Sequence, residues 1–172
     1  MPMGPMMQTI YTKMQNKLLE KFREYYVRDR RAAAKMLGPM LETLMTYPDH
    51  PYGLKPVVVE NSVVLIPPDM DQTDTFPKET KLLEILKEER ANKRKCWVFS
   101  NRDCVQERLK NVLENHGFKV AHMTAAVKPA TRIEWLEKHG PSCDVGLCNA
   151  RLVETGMELF GPGYNFPTLI HY

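Results

Sequence analysis

Three short polar clusters close apolar runs in this 172-residue chain: Ser100-Asn101-Arg102 after KCWVF, Thr124 after FKVAHM, and Asn149-Ala150-Arg151 after CDVGLC. Amide, hydroxyl and guanidinium groups at such points donate hydrogen bonds to anionic or carbonyl oxygens. In an open parallel sheet, ligands bind beyond the carboxyl ends of the strands. A turn-rich segment, ARLVETGMELFGPGYN, follows the third cluster, with Thr155-Gly156 at its centre and Glu158 close behind. A glycine at that centre lets the backbone approach a ligand closely.

These are groups that bind, and groups that make or break bonds are missing. There is no GxxxxGK[ST] loop to cradle nucleotide phosphates, no GxGxxG after a strand and no GxSxG elbow. The four cysteines, Cys96, Cys104, Cys143 and Cys148, form no CxxC pair. The five histidines form no HExxH pattern, and no Cys-His nucleophile pair stands out. No metal ligand set is expected, and the cysteines read as reduced thiols of a cytoplasmic protein.

The elements that must position the polar clusters follow from periodicity. The first 47 residues read as helix, with Ile10, Met14, Leu18, Phe22 and Tyr26 forming one apolar stripe. Gly38-Pro39 is expected to break or kink it. In PVVVENSVVLIPP, two β-branched runs around Glu60-Asn61-Ser62 read as a hairpin. From Lys78 onward helices and strands alternate. KETKLLEILKEERANK is a helix and KCWVFS a strand. Asp103 to His116 is a helix stopped by Gly117, and FKVAHM a strand. Pro129 to His139 is a helix, and CDVGLCN and FPTLIHY are strands. This rhythm predicts an α/β fold, with a parallel sheet covered by helices. Trp97 and Trp135 read as packing residues. The domains expected are a helical appendage over residues 1–56 and an α/β domain over 57–172.

The order of these segments resembles a known family. DVGLCNARLVETGMELFGPGYNFPTLIHY resembles motif V of superfamily 2 helicases and translocases, within their second RecA-like domain. The pattern is similar to that of Snf-like helicases of bacterial mobile elements and phages. KETKLLEILKEERANKRKCWVFSNR resembles the helix and strand leading into motif IV, DCVQERLKNVLENHGFKVAHMTAAV the next helix and strand, and ATRIEWLEKHGPSCDVGLCN the helix before motif V. The resemblance covers about Phe76 to Tyr172. YPDHPYG and the preceding helices resemble the segment linking the two motor domains.

The resemblance implies a RecA-like sheet and residue roles. Asn149 and Thr155 would contact a nucleic-acid backbone or position the motif V loop. Ser100, Asn101, Arg102 and Thr124 would lie near the nucleic-acid track. Gly156 and Glu158 would face the nucleotide, with the carboxylate accepting from ribose hydroxyls. The family usually has Asp where this chain has Glu158. The first motor domain and the arginine finger of motif VI are not in this sequence. The implied function is a part of an ATP-dependent DNA helicase or translocase, with RNA as an alternative track. ATP and Mg would be bound only in the intact motor, beside an N-terminal motor domain of the same or a neighbouring chain. This chain alone is not expected to hydrolyse ATP. The alternative is a degenerate helicase-like domain acting as a DNA- or protein-binding scaffold, for which the Ile10–Tyr26 stripe is the best support. A small unrelated α/β enzyme is a third reading.

Composition sets bounds on all of these. Hydrophobic residues make up 43% and the net charge is +3, too apolar and too weakly charged for a disordered tail. No apolar run approaches the ~20 residues of a membrane helix, and no secretion signal is read at the N-terminus. The positive excess lies mostly between Lys13 and Lys35, and the remainder is close to neutral. Net charge alone therefore does not mark the whole chain as a nucleic-acid binder.

Overall fold

The computed structural model describes residues 3–72, 75–154 and 156–172. The chain forms two compact units, Met1–Pro77 and Lys78–Tyr172.

The first unit is a helical hairpin with a small β-hairpin against it. Helix α1 spans Pro5–Arg28 and α2 spans Arg30–Thr46. The break falls at Asp29, and the sequence expectation of a break at Gly38-Pro39 is corrected. Asp29 is extended (φ −151°), and its carboxylate accepts from the Arg31 and Ala32 amides at 2.8 and 3.2 Å. An N-cap of this kind satisfies amides that the first turn leaves without helical partners. Pro39 sits inside α2 on its exposed side, where water can reach the carbonyl its missing N–H cannot serve.

The Ile10–Tyr26 stripe is not a free surface. Met14 and Leu18 are buried with Met7, Met36, Met40, Leu44 and Tyr47, and Ile10 and Phe22 pack on the edge of this cluster. Only Tyr26 lies half exposed. Strands β1 (Val57–Val59) and β2 (Ser62–Leu65) pair antiparallel. Glu60 and Asn61 turn between them at φ 49° and 65°. Two successive left-handed residues make the turn whose twist matches that of a hairpin. Val57, Val59, Val64 and Leu65 join the helical core, so this hairpin lies in the first unit, although the sequence grouped it with the second.

The second unit is mixed α/β. Strands β3 (Cys96–Phe99), β4 (Val120–Met123), β5 (Val145–Cys148) and β8 (Thr168–His171) form a fully parallel sheet in the order β4-β5-β3-β8. Helices α3 (Pro77–Ala91) and α4 (Asp103–Asn115) cover one face, where Leu82, Leu83, Leu86, Val105, Leu109 and Leu113 meet Cys96, Val98, Val145 and Leu147. Helix α5 (Arg132–His139), preceded by a 3₁₀ turn at Pro129–Thr131, covers the other face. There Leu136 packs with Trp97, Met123 and Cys148. A two-residue ladder, β6 (Phe160–Gly161) with β7 (Tyr164–Asn165), lies in the segment before β8.

Local chemistry explains the boundaries. α4 ends where Gly117 takes φ 76°, and the Gly117 and Phe118 amides return to the Glu114 and Leu113 carbonyls at 2.9 and 3.1 Å. This is a glycine-terminated cap of the Schellman type. At the end of α5, the Lys95 ammonium donates to the Gly140 and Pro141 carbonyls at 2.6 and 2.7 Å. Trp97 is fully buried, lies edge-on to Phe166 at 4.9 Å and donates to Cys148 Sγ at 3.2 Å. Burial pushes the Cys96 and Cys148 thiols up to about 11, so both act as un-ionised packing groups. All four cysteines are free thiols. Among the described residues, no helix is long and apolar enough to cross a membrane.

Candidate functional site

The two central strands of the sheet send the chain in opposite directions. β3 leads into α4 on one face. β5 leads into a 3₁₀ turn (Ala150–Leu152) whose Ala150, Leu152 and Val153 pack on the other. Between two strands that diverge in this way, the carboxyl edge is where open α/β sheets take ligands. The parallel register aligns Phe99 with Cys148 and Met123 with Cys148. Ser100, Asn101, Thr124 and Asn149 therefore share one edge.

Hydrogen bonds knit this edge. The Ser100 amide donates to the Cys148 carbonyl at 3.0 Å, extending the ladder by one residue. The Asn149 side-chain amide donates to the Asn101 carbonyl at 3.2 Å, and its oxygen accepts from the Arg151 amide at 3.1 Å. Asn149 thus caps the 3₁₀ turn with one end of its side chain and bridges to the neighbouring strand with the other. Asn101 is exposed, whereas Ser100 is only 4% exposed, so Asn101 is the accessible member of that pair. Arg102 is the N-cap of α4 and makes no side-chain capping bond. The positive end of that helix dipole adds to the edge. Thr124 is half-buried, and its carbonyl accepts from the Val127 amide at 3.1 Å.

The expected nucleotide-facing residues stand apart from this knit. Gly156 has φ 81°, and a side chain there would meet open space. Its amide donates to the Val153 carbonyl at 3.0 Å. Glu158 is exposed, and its charge helps raise the Tyr164 phenol, a shift due first to burial. Thr155 lies outside the described residues. Among the described residues, no group of three or more His, Cys, Asp or Glu side chains is placed to hold a metal ion.

Two positioning residues escaped the sequence reading. Arg132, at the start of α5, donates to the Leu152 carbonyl at 2.6 Å and to the Val127 carbonyl at 3.3 Å. It ties the loop after Thr124 to the turn after Asn149. Gln106 is buried in α4, donates to the Ser100 carbonyl at 2.7 Å and lies 2.9 Å from His122 Nε2. Burial lowers the His122 pKa, so a neutral imidazole with its Nε2 proton toward the Gln106 oxygen satisfies both groups. The spacing of Gln106 with Leu109 and Leu113 placed it on an inward helical face, which was the one available signal. Arg132 carried none.

No protein-family model matches this chain, and no curated protein matches it.

Proposed function

We propose that the second unit is the second RecA-like domain of a superfamily 2, Snf-like DNA helicase or translocase, working in the cytoplasm with the helical first unit as its appendage. The observation that carries this reading is the Asn149–Asn101 bridge between the carboxyl ends of β5 and β3. It gathers short polar groups from two strand ends, beside the N-terminus of α4, on an edge suited to phosphate oxygens. The nucleic-acid track would run over Asn101, Arg102, Thr124 and Asn149. Gly156 and Glu158 would form one wall of an ATP cleft completed by a first motor domain. With no phosphate loop of its own, the chain would not hold ATP and Mg by itself.

Two assays test the reading. Labelled duplex DNA, titrated at low salt, should bind weakly and lose affinity as salt rises. Arg102→Glu with Asn101→Asp should lower that affinity about tenfold or more, because both add negative charge to the track. Affinity unchanged by this pair removes this edge as the track. ATP turnover should be absent with or without DNA, and robust turnover by the chain alone refutes the assignment.

A further inference from the structure

Helix α2 is apolar on two opposite faces. One is buried: Ala32, Met36 and Met40 lie in the cluster shared with α1 and the hairpin, and Thr43 is buried on the same side. The other presents Leu37, Leu41 and Met45, which are 40%, 51% and 64% exposed. Ala34 and Gly38 are exposed on that same face, since positions three, four, seven and eleven apart share a helical side. Isolated exposed apolar residues are ordinary, but a row along one helical face needs a partner.

We propose that this outward face of α2 is a self-association surface, on which α2 pairs antiparallel with α2 of a second copy. Two independent features select the same register. Lys35 and Glu42 lie two turns apart on one flank of the row. In an antiparallel pair about a two-fold axis, like flanks meet. Lys35 of each copy then faces Glu42 of the other when the axis passes midway between Gly38 and Pro39. Lys35 has no side-chain partner among the described residues. Glu42 accepts from the Thr46 hydroxyl at 3.3 Å through Oε1, and because a carboxylate accepts several donors at once, the intermolecular Lys35 contact would add to its bonds within the chain. At that same register, Leu41 stands opposite the notch between Ala34 and Gly38 of the other copy. Small residues there let the helices close, and a Cβ at Gly38 would meet nothing within 4 Å in the single chain. The large-into-small fit and the charge pairing therefore agree without either being used to derive the other. One helix pair covers much less than the ~800 Å² per partner of a standard stable interface, so the dimer is weak and concentration-dependent.

Sedimentation of the full chain across the micromolar to millimolar range tests this. The expected result is a monomer–dimer equilibrium. Leu41→Glu should weaken it at least about tenfold, as should Lys35→Glu alone. Lys35→Glu combined with Glu42→Lys should restore the wild-type dissociation constant, because the swapped charges pair again. Circular dichroism confirms that each variant keeps its helices. A chain that stays monomeric throughout overturns the proposal. So does a dimer indifferent to Leu41→Glu, or a double swap no better than the single one. None of these outcomes depends on DNA or ATP binding, so the dimer and the motor reading fail separately.

Discussion

The Asn149 side chain spans from the Arg151 amide, at 3.1 Å, to the Asn101 carbonyl, at 3.2 Å, and so couples a turn to the adjacent strand end. The two contacts use chemically different ends of one amide. Asn149→Ala removes both and should cost about 1 kcal/mol, the usual scale for losing a cap. Asn149→Asp keeps the acceptor toward Arg151 and loses the donor toward Asn101. It should therefore melt closer to wild type than the alanine variant. It should bind DNA no better than the alanine variant, since a carboxylate repels phosphates. Thermal unfolding and DNA anisotropy on the same pair separate capping from binding. Equal melting temperatures for the two variants would show that the cap contributes nothing.

Gly146 faces the Trp97 ring across the β5–β3 pair, and a Cβ built there would lie 2.0 Å from the ring. A large buried indole on one strand thus requires a bare backbone on the next. Overpacking a core by one carbon typically costs 1–3 kcal/mol, and Gly146→Ala should fall at or above about 3 kcal/mol because the ring is hemmed in by Phe166. Trp97→Leu should relieve part of that cost. Denaturant unfolding of the two single variants and the double variant gives a coupling energy. Additive effects would mean that the strands shift and the ring does not.

Some of this architecture was legible in the sequence and some was not, for physical reasons. Local signals carried well. Gly117 at the end of α4 and the β-branched runs of the hairpin each fold by rules acting over a few residues. The parallel strands followed from alternation with helices. The helix break did not carry, because Gly38-Pro39 is a strong local breaker whose cost is met on an exposed face, while the Asp29 cap depends on α2 folding back over α1. Gly146 was silent, because its need arises from Trp97, 49 positions away in sequence. The carboxyl-edge residues were foreseeable as strand ends. The bonds that join them, from Arg132 and Gln106, form only once separate loops are brought together.

Glu79 and Arg108 form a bidentate ion pair between α3 and α4, at 2.7 and 3.0 Å, with the Glu79 side chain fully buried. Breaking such a pair leaves a buried charge without its counter-ion, which typically costs 3–5 kcal/mol. Arg108→Met should destabilise the chain by about 3 kcal/mol. Glu79→Leu with Arg108→Met should be milder than Arg108→Met alone, since apolar replacement of both partners removes the desolvation cost. Urea midpoints of the two variants check the order, and a double variant less stable than the single one contradicts it.

The hairpin turn holds Glu60 and Asn61 at positive φ. Asparagine tolerates this conformation and glutamate does so poorly, at about 1–2 kcal/mol for an ordinary side chain. Glu60→Asn with Asn61→Gly supplies the pair that this turn favours most. It should raise stability by about 1 kcal/mol. A fall in melting temperature would mean that the Glu60 side chain contributes something the turn geometry does not show.

Glu89 links α3 to the edge strand β8 and to the loop before β3. Its carboxylate accepts from the Arg94 guanidinium at 2.8 and 2.6 Å and from the Thr168 hydroxyl. The hydrogen bonds from Arg94, then Thr168, hold its pKa down to about 2, against an ordinary value of 4.5. A carboxyl with a depressed folded-state pKa binds its proton more readily in the unfolded chain. Its contribution to stability is therefore complete above the ordinary value and disappears as pH falls from about 5 toward 2. Glu89→Gln should melt below wild type at neutral pH, and the gap should close through that window. Part of the acid sensitivity above it belongs to His122, whose burial also lowers its pKa and whose protonation opposes folding as pH drops below about 6.5. Melting curves of wild type, Glu89→Gln and His122→Gln at stepped pH assign each part. A Glu89→Gln gap constant from neutral pH down to about 2 would remove the Arg94 pairing as the source of the acid dependence.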